Sequence, residues 1–212
     1  MIRHMYCHVY EYRLVKEMQR TIRRGDTFID VGANIGYLTS IGAGLVGPTG
    51  QVHSFEPVPE YFKILKKVKE LNPSHQIFVN NAALGEKEGE AHIDVTSLHN
   101  IGWNTMVPRF MEPSTIKMSY PIKVIRLDDY IADMNLDNIS LIKIDVEGFE
   151  FPVLKGLRDY LQEKRPLLII EVVPEAYPLL GSSMLQLSEY MAEFGYKSAP
   201  LDDLLSVWAS GN

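Results

Sequence analysis

Two hydrophobic periods alternate along this chain. Short apolar runs rich in β-branched and aromatic residues fall at 27–31, 51–55, 76–80, 140–145 and 166–172 and read as buried strands. Between them the spacing becomes helical. At 10–24, Leu14, Val15, Met18 and Ile22 share one side and Gly25 supplies the stop, so this segment is expected to cover a sheet. The apolar stretch 37–46 ends at Gly47-Pro48-Thr49-Gly50. Pro59 opens a third helix, with Tyr61, Ile64, Leu65, Val68 and Leu71 on one face and Lys63, Lys66, Lys67 and Glu70 on the others. A further amphipathic helix at 183–194 stops at Gly195. Strands alternating with helices predict an α/β architecture: an open, mostly parallel sheet with helices on both faces and a ligand crevice at the carboxyl ends of the strands.

The alternation breaks once. Segments 90–95 and 120–127 read as strands joined by a long irregular stretch, 97–119, that carries Trp103, Asn104, Arg109 and Phe110. Loops of this length in compact domains are either functional lids or disordered, and 97–119 is taken as a substrate-side lid. A short helix is expected next, at 128–134.

Composition narrows the picture. With 212 residues, 46% of them hydrophobic, the chain can bury one substantial core, so a single domain over 1–212 is expected, with 1–24 as an N-terminal helical extension. A net charge of -6 argues against a broad basic surface for nucleic acid, and the lysines at 63–69 read as a solvated helix face. The single cysteine, Cys7, excludes an internal disulfide framework and fits a reducing compartment. Arg3 and His4 stand where a signal peptide needs an apolar run, and no apolar stretch is long enough for a bilayer, so a cytoplasmic protein without a membrane span is expected. His4, Cys7 and His8 have helical spacing but read as a frayed terminus rather than a metal site.

The candidate chemistry sits at the predicted strand ends: Asp30, Glu56, Asn81, Asp145 and Glu171 all fall there. After the first strand, Gly32-Ala33-Asn34-Ile35-Gly36-Tyr37 forms a small-residue turn into a helix, whose first N–H groups would face a ligand. The dinucleotide pattern G-x-G-x-x-G fails at Asn34 and Tyr37, which favours a ligand without phosphates. Gly32 reads as a point of close ligand approach, where a branched side chain would fill the ligand's space. Glu56 lies twenty-four positions beyond Gly32, where an acid after the second strand meets ribose hydroxyls. If the chain stays extended past Asp145, the period of two puts Asp145 and Glu147 on one side, beside a bound cation, with Gly148 allowing a sharp exit.

Asp-Val-Gly-Ala-Asn-Ile-Gly at 30–36 resembles the cofactor turn of the FkbM-type S-adenosylmethionine-dependent methyltransferases, and Lys143-Ile144-Asp145-Val146-Glu147-Gly148 resembles their second signature. Phe55-Glu56-Pro57, Asn81-Ala82-Ala83-Leu84-Gly85 and Glu171-Val172-Val173-Pro174 match as well, so the resemblance runs over about 25–196. It implies a Rossmann-like class I methyltransferase fold, in which 196–199 and 205–209 pair antiparallel at the sheet edge. It also implies S-adenosylmethionine as cofactor, held by Asp30, Gly32, Ala33, Asn34, Gly36, Tyr37, Glu56, Pro57, Asn81, Ala82 and Asp145. The implied reaction is methylation of a hydroxyl on a small molecule or glycan. Asp145 would hold the methionine ammonium and Glu147 would act as general base. A hard metal ion held by Asp145, Glu147 and Glu171 is the rival to a base, and no metal is expected. A nicotinamide-dependent oxidoreductase and a non-catalytic cofactor-binding scaffold stand as alternatives.

Overall fold

The computed structural model describes residues 12–96, 104–201 and 205–210. In chain order these form α1 (Tyr12–Thr21), β1 (Thr27–Val31), α2 (Tyr37–Val46), β2 (Gln51–Phe55), α3 (Pro59–Leu71), β3 (Gln76–Asn80), β4 (Ala83–Leu84), β5 (Gly89–Val95) and β6 (Asn104–Thr105). There follow β7 (Met118–Ile125), α4 (Leu127–Asp133), β8 (Ile139–Ile144), α5 (Glu150–Lys155), α6 (Arg158–Glu163), β9 (Leu167–Glu171), α7 (Met184–Glu193), β10 (Tyr196–Pro200) and β11 (Leu205–Ser210). Short 3-10 turns lie at Pro113–Thr115 and Pro174–Leu180.

Seven strands make the main sheet, in the order β10-β11-β9-β8-β1-β2-β3. The five from β9 to β3 are parallel, while β11 runs antiparallel to both β9 and β10. The expected antiparallel pair is therefore present, and β11 is inserted inside the sheet with β10 outside it. Alternation along each strand builds two cores. Phe28, Leu141 and Ile169 face the cluster formed with Leu14, Val15 and Met18 of α1 and Leu38, Ala43 and Val46 of α2. Ile29, Val31, Ile142, Ile144, Leu168 and Ile170 face the other side, where Ile131, Leu154, Leu161, Leu187 and Met191 arrive from α4, α5, α6 and α7. With both faces covered, β1 is buried along its whole length.

A second sheet, β4-β7-β5-β6, grows out beyond β3. β5 and β7 pair antiparallel over seven residues, and the two-residue strand β4 pairs parallel with the end of β7. Ile93, Val95, Ile122 and Val124 pack from this sheet onto Val58 and Tyr61. The stretch 97–119 is thus only partly the irregular lid expected. Asn104 and Thr105 pair with β5, Val107 and Met111 are buried, and β7 begins at Met118. Trp103, like His4, Cys7 and His8, lies outside the described residues. The fourth helix starts at Leu127, a residue expected in the preceding strand, because Leu127 turns into the core. Among the described residues no helix is long and apolar enough to cross a membrane.

Candidate active site

The carboxyl ends of β1, β2 and β8 converge on one buried lysine. Lys143, in the otherwise apolar strand β8, sends its ammonium to the Gly32 carbonyl at 2.8 Å and the Val31 carbonyl at 3.3 Å. It forms ion pairs with Asp145 at 3.2 Å and Asp30 at 3.6 Å. A buried ammonium is tolerable only when paired in this way. Asp30 is fully buried, and its second oxygen accepts from the Thr39 hydroxyl at 2.7 Å. It therefore orients Lys143 and the start of α2, while Asp145, 25% exposed, keeps a face to the crevice.

The turn after β1 is built by its neighbours in the fold. Gly32 and Ala33 donate their N–H groups to the Phe55 carbonyl at 3.1 and 2.9 Å, and Asp145 N–H donates to the Val31 carbonyl at 3.2 Å. A Cβ on Gly32 would lie 1.8 Å from the Asp145 carbonyl oxygen, and the residue has a φ of +75°. What approaches Gly32 in the fold is the β8 backbone, so a side chain there meets Asp145 as well as the turn itself. Gly36, at φ +84°, makes room for Leu65 and Val68 of α3. Tyr37 packs into the apolar cluster over α2, and no side chain caps that helix.

Glu56 closes the second corner. Its two oxygens accept from the Asn34 and Val58 N–H groups, each at 2.8 Å, and the residue is 4% exposed. Burial pushes its pKa up to about 7 against the downward pull of those two hydrogen bonds. Asn81 donates its amide to the Glu56 and Pro57 carbonyls at 2.9 and 3.0 Å, and Ala82 behind it is buried. Asn34, Glu56, Pro57 and Asn81 therefore form one connected corner. Each Glu56 oxygen retains a second lone pair for a hydroxyl donor.

The third corner departs from expectation. The chain does not stay extended past Asp145: Glu147 and Gly148 take φ values of +52° and +100°, two left-handed residues in succession. The turn still keeps Glu147 close to Asp145. Burial first, and then the charges of Asp145, Glu171 and Glu150, raise the Glu147 pKa to about 8. Glu150, fully buried, accepts from Gly148 N–H at 2.7 Å and from the Tyr177 phenol at 3.0 Å, and burial raises its pKa to about 7. Among the described residues no three of histidine, cysteine, aspartate and glutamate are arranged to hold a metal ion.

Sequence reasoning missed Lys143, Glu150, Tyr177 and Thr105. Lys143 carried a readable signal, a lone lysine inside Ile-Ser-Leu-Ile-Lys-Ile, and Glu150 lies only three residues past Glu147; Thr105 and Tyr177 are recruited from distant parts of the chain. Asp30 and Asp145 pair with the Lys143 ammonium, Glu56 and Glu147 feel its charge, and Glu150 and Glu171 lie within electrostatic reach of Glu147, so six carboxyl groups share the neighbourhood of one ammonium. This surplus of acidic groups, three of them held partly protonated by burial, suits a cationic ligand, which would favour their ionised forms.

A family model described as Methyltransferase FkbM domain matches residues 30–198. The 31-O-demethyl-FK506 methyltransferase FkbM of Streptomyces tacrolimicus is 30% identical over 167 residues, 65% of this chain and 62% of that protein. The hexuronic acid methyltransferase AglP of Haloferax volcanii is 25% identical over 162 residues, 76% of this chain and 62% of that protein. The chain spans about three fifths of the length of the curated relatives it matches. In three dimensions it is similar to the crystal structure of methyltransferase FkbM from Methylobacillus flagellatus KT, with a TM-score of 0.59 and 18% identity over 92% of this chain and 50% of that one. That likeness establishes the Rossmann-like α/β fold.

Proposed function

The chain belongs to the FkbM methyltransferase family, and we propose that it methylates a hydroxyl oxygen of a small molecule or glycan at the expense of S-adenosylmethionine. The observation that carries this reading is the excess of carboxylates over the single ammonium of Lys143 at the strand ends. A ligand bearing a sulfonium and an ammonium fits that charge, and the lone pairs left on the buried Glu56 fit ribose hydroxyls. The names of the two relatives, one an O-demethyl substrate and one a hexuronic acid, support an oxygen acceptor.

When bound, S-adenosylmethionine supplies an electrophilic methyl group. Asp145, half turned to the crevice, holds the methionine ammonium, and Glu56 holds the ribose. Asp30, Gly32, Ala33, Asn34, Gly36, Tyr37, Pro57, Asn81 and Ala82 shape the remaining cofactor walls. Glu147 would accept the proton that the acceptor hydroxyl loses as the methyl carbon passes from sulfur to oxygen, the C–S bond breaking and S-adenosylhomocysteine leaving as the neutral thioether, and its raised pKa suits a base working near neutral pH. Alignment of the hydroxyl against the methyl group supplies much of the remaining acceleration. The part of the stretch 97–119 that the structure describes, 104–119, lies on the acceptor side in this reading, within a single domain, and a cytoplasmic setting fits the lone Cys7.

Calorimetry with S-adenosylhomocysteine and with NAD tests the cofactor, and labelled methyl transfer onto metabolite and glycan extracts tests the reaction. Binding of S-adenosylhomocysteine with transfer to an extract component is expected. NAD binding alone would return the oxidoreductase reading, and cofactor binding without any transfer would return the scaffold.

A further inference from the structure

The turn that carries Glu147 is clamped from two sides. Thr105, on the edge strand β6, is 2% exposed and donates its hydroxyl to the Glu147 carbonyl oxygen at 2.6 Å, across 42 residues of sequence. The same hydroxyl oxygen accepts from Val107 N–H at 3.1 Å, which fixes where its proton points. Val107 also packs on Gly148, where a Cβ would stand 3.2 Å from the Val107 Cγ2 atom. On the opposite side, Gly148 N–H is held by Glu150, itself held by Tyr177. A left-handed glutamate is costly and persists only where its surroundings over-determine it.

We propose that Thr105 is a positioning residue for Glu147, its hydroxyl holding the left-handed turn that directs the Glu147 carboxylate toward the acceptor. The proposal rests on the reading of Glu147 as general base, but its mechanical part stands alone. The second sheet then does more than wall the acceptor side, because its outermost strand sets the geometry of a residue at the end of β8. The charged groups around Glu147 are Asp145, Glu171 and Glu150, which disfavour its ionisation, and Lys143, which favours it. None belongs to β6, so loss of the Thr105 hydroxyl alters no nearby charge and acts through the turn it holds and the Val107 N–H it satisfies.

Thr105→Val keeps the shape and removes the donor; Thr105→Ser keeps the donor. The full chain, labelled with 13C at glutamate carboxyls, is titrated by NMR, with calorimetry against S-adenosylhomocysteine and a pH profile of methyl transfer onto the extract. In Thr105→Val, Glu147 is expected to titrate lower, toward the ordinary carboxylate range, as the turn relaxes and the carboxylate gains water. Transfer falls roughly 10–100-fold, its alkaline-rising limb moves with the Glu147 titration, and cofactor affinity is unchanged. Thr105→Ser restores both. A Thr105→Val protein in which Glu147 titrates as in the wild type overturns the proposal. If Thr105→Val does not fold, Thr105→Ala carries the same comparison with Thr105→Ser. Unchanged turnover in Glu147→Gln would remove the base reading while leaving the Thr105 effect on the titration intact, so the two failures are distinguishable.

Discussion

The corner around Glu56 and the corner around Glu147 use the same kind of side chain in opposite ways. Glu56 has its carboxylate held by backbone N–H groups, Asn34 from the loop after β1 and Val58 from its own, while the Asn81 amide ties the Glu56 and Pro57 carbonyls into the same corner. Glu147 sits on a left-handed backbone whose restraints come from side chains, Thr105 and Glu150. The first arrangement suits a ligand that is always the same; the second suits a residue whose aim must follow the acceptor side.

Breaking the second corner at its carboxylate gives the largest expected effect. Glu147→Gln lowers turnover by roughly 10²–10⁴-fold with S-adenosylhomocysteine affinity unchanged. In the wild type kcat/KM rises with pH through about 8, as Glu147 loses its proton, and that limb vanishes in the variant. Equal loss of affinity and turnover would erase the contrast between the corners.

Next comes Gly32→Ala. Its methyl group has to displace the Asp145 carbonyl in a left-handed residue, so a loss of about 2–4 kcal/mol of stability is expected, read from urea melts. A variant as stable as the wild type would show that the β8 backbone yields there. Glu56→Ala should weaken S-adenosylhomocysteine binding by about 1.5–3 kcal/mol. Unchanged affinity in the folded variant would detach Glu56 from the cofactor.

The smallest effect sharpens the comparison through pH. Glu56, Glu147 and Glu150 have folded pKa values of about 7, 8 and 7, above the ordinary value of 4.5. The folded state binds more protons than the unfolded one between those limits, so their stabilising contribution is full below pH 4.5 and is lost as pH rises to about 8. His53 works in the other direction. Buried between Gln51, Tyr130 and Phe78, it has a pKa lowered to about 4 by burial, and its contribution is lost as pH falls from 6.5 toward 4. The melting temperature without ligand should fall from pH 6.5 to 8, because the three glutamates lose their folded-state protons there and outweigh what remains of the unfolded His53 titration. S-adenosylhomocysteine, which brings an ammonium but no sulfonium, should reduce that fall, and a flat profile would contradict the buried acids.

The contrast also explains what could be read in advance. The turn at 30–36, the acid at Glu56 and the strand ends were legible because their neighbours lie nearby in sequence or share the sheet register that alternation predicts. β10 and β11 were expected as an edge pair from the family resemblance. Glu147 was misjudged in conformation, since a period of two assumes an extended chain, and Gly148 was credited with the whole turn. The strands β5 and β7 were read, but the second sheet they build escaped because β4 and β6 have two residues each, too short for any period to show. Thr105 escaped for the same reason: its partner is fixed by tertiary approach rather than by spacing.

The insertion of β11 between β9 and β10 has a consequence for synthesis. A chain emerging from the ribosome completes β1, β2, β3 and β8, with the corners around Lys143 and Glu56, well before residues 205–210 exist. β10 is made earlier than β11 yet pairs with nothing else in the sheet, so it waits as an unmatched strand until the next one arrives. Translation stalled between the two would leave a nascent molecule whose binding corners are assembled while the flank of β9 stays open, and that flank is where a chaperone or a second nascent chain would first find a free hydrogen-bonding edge.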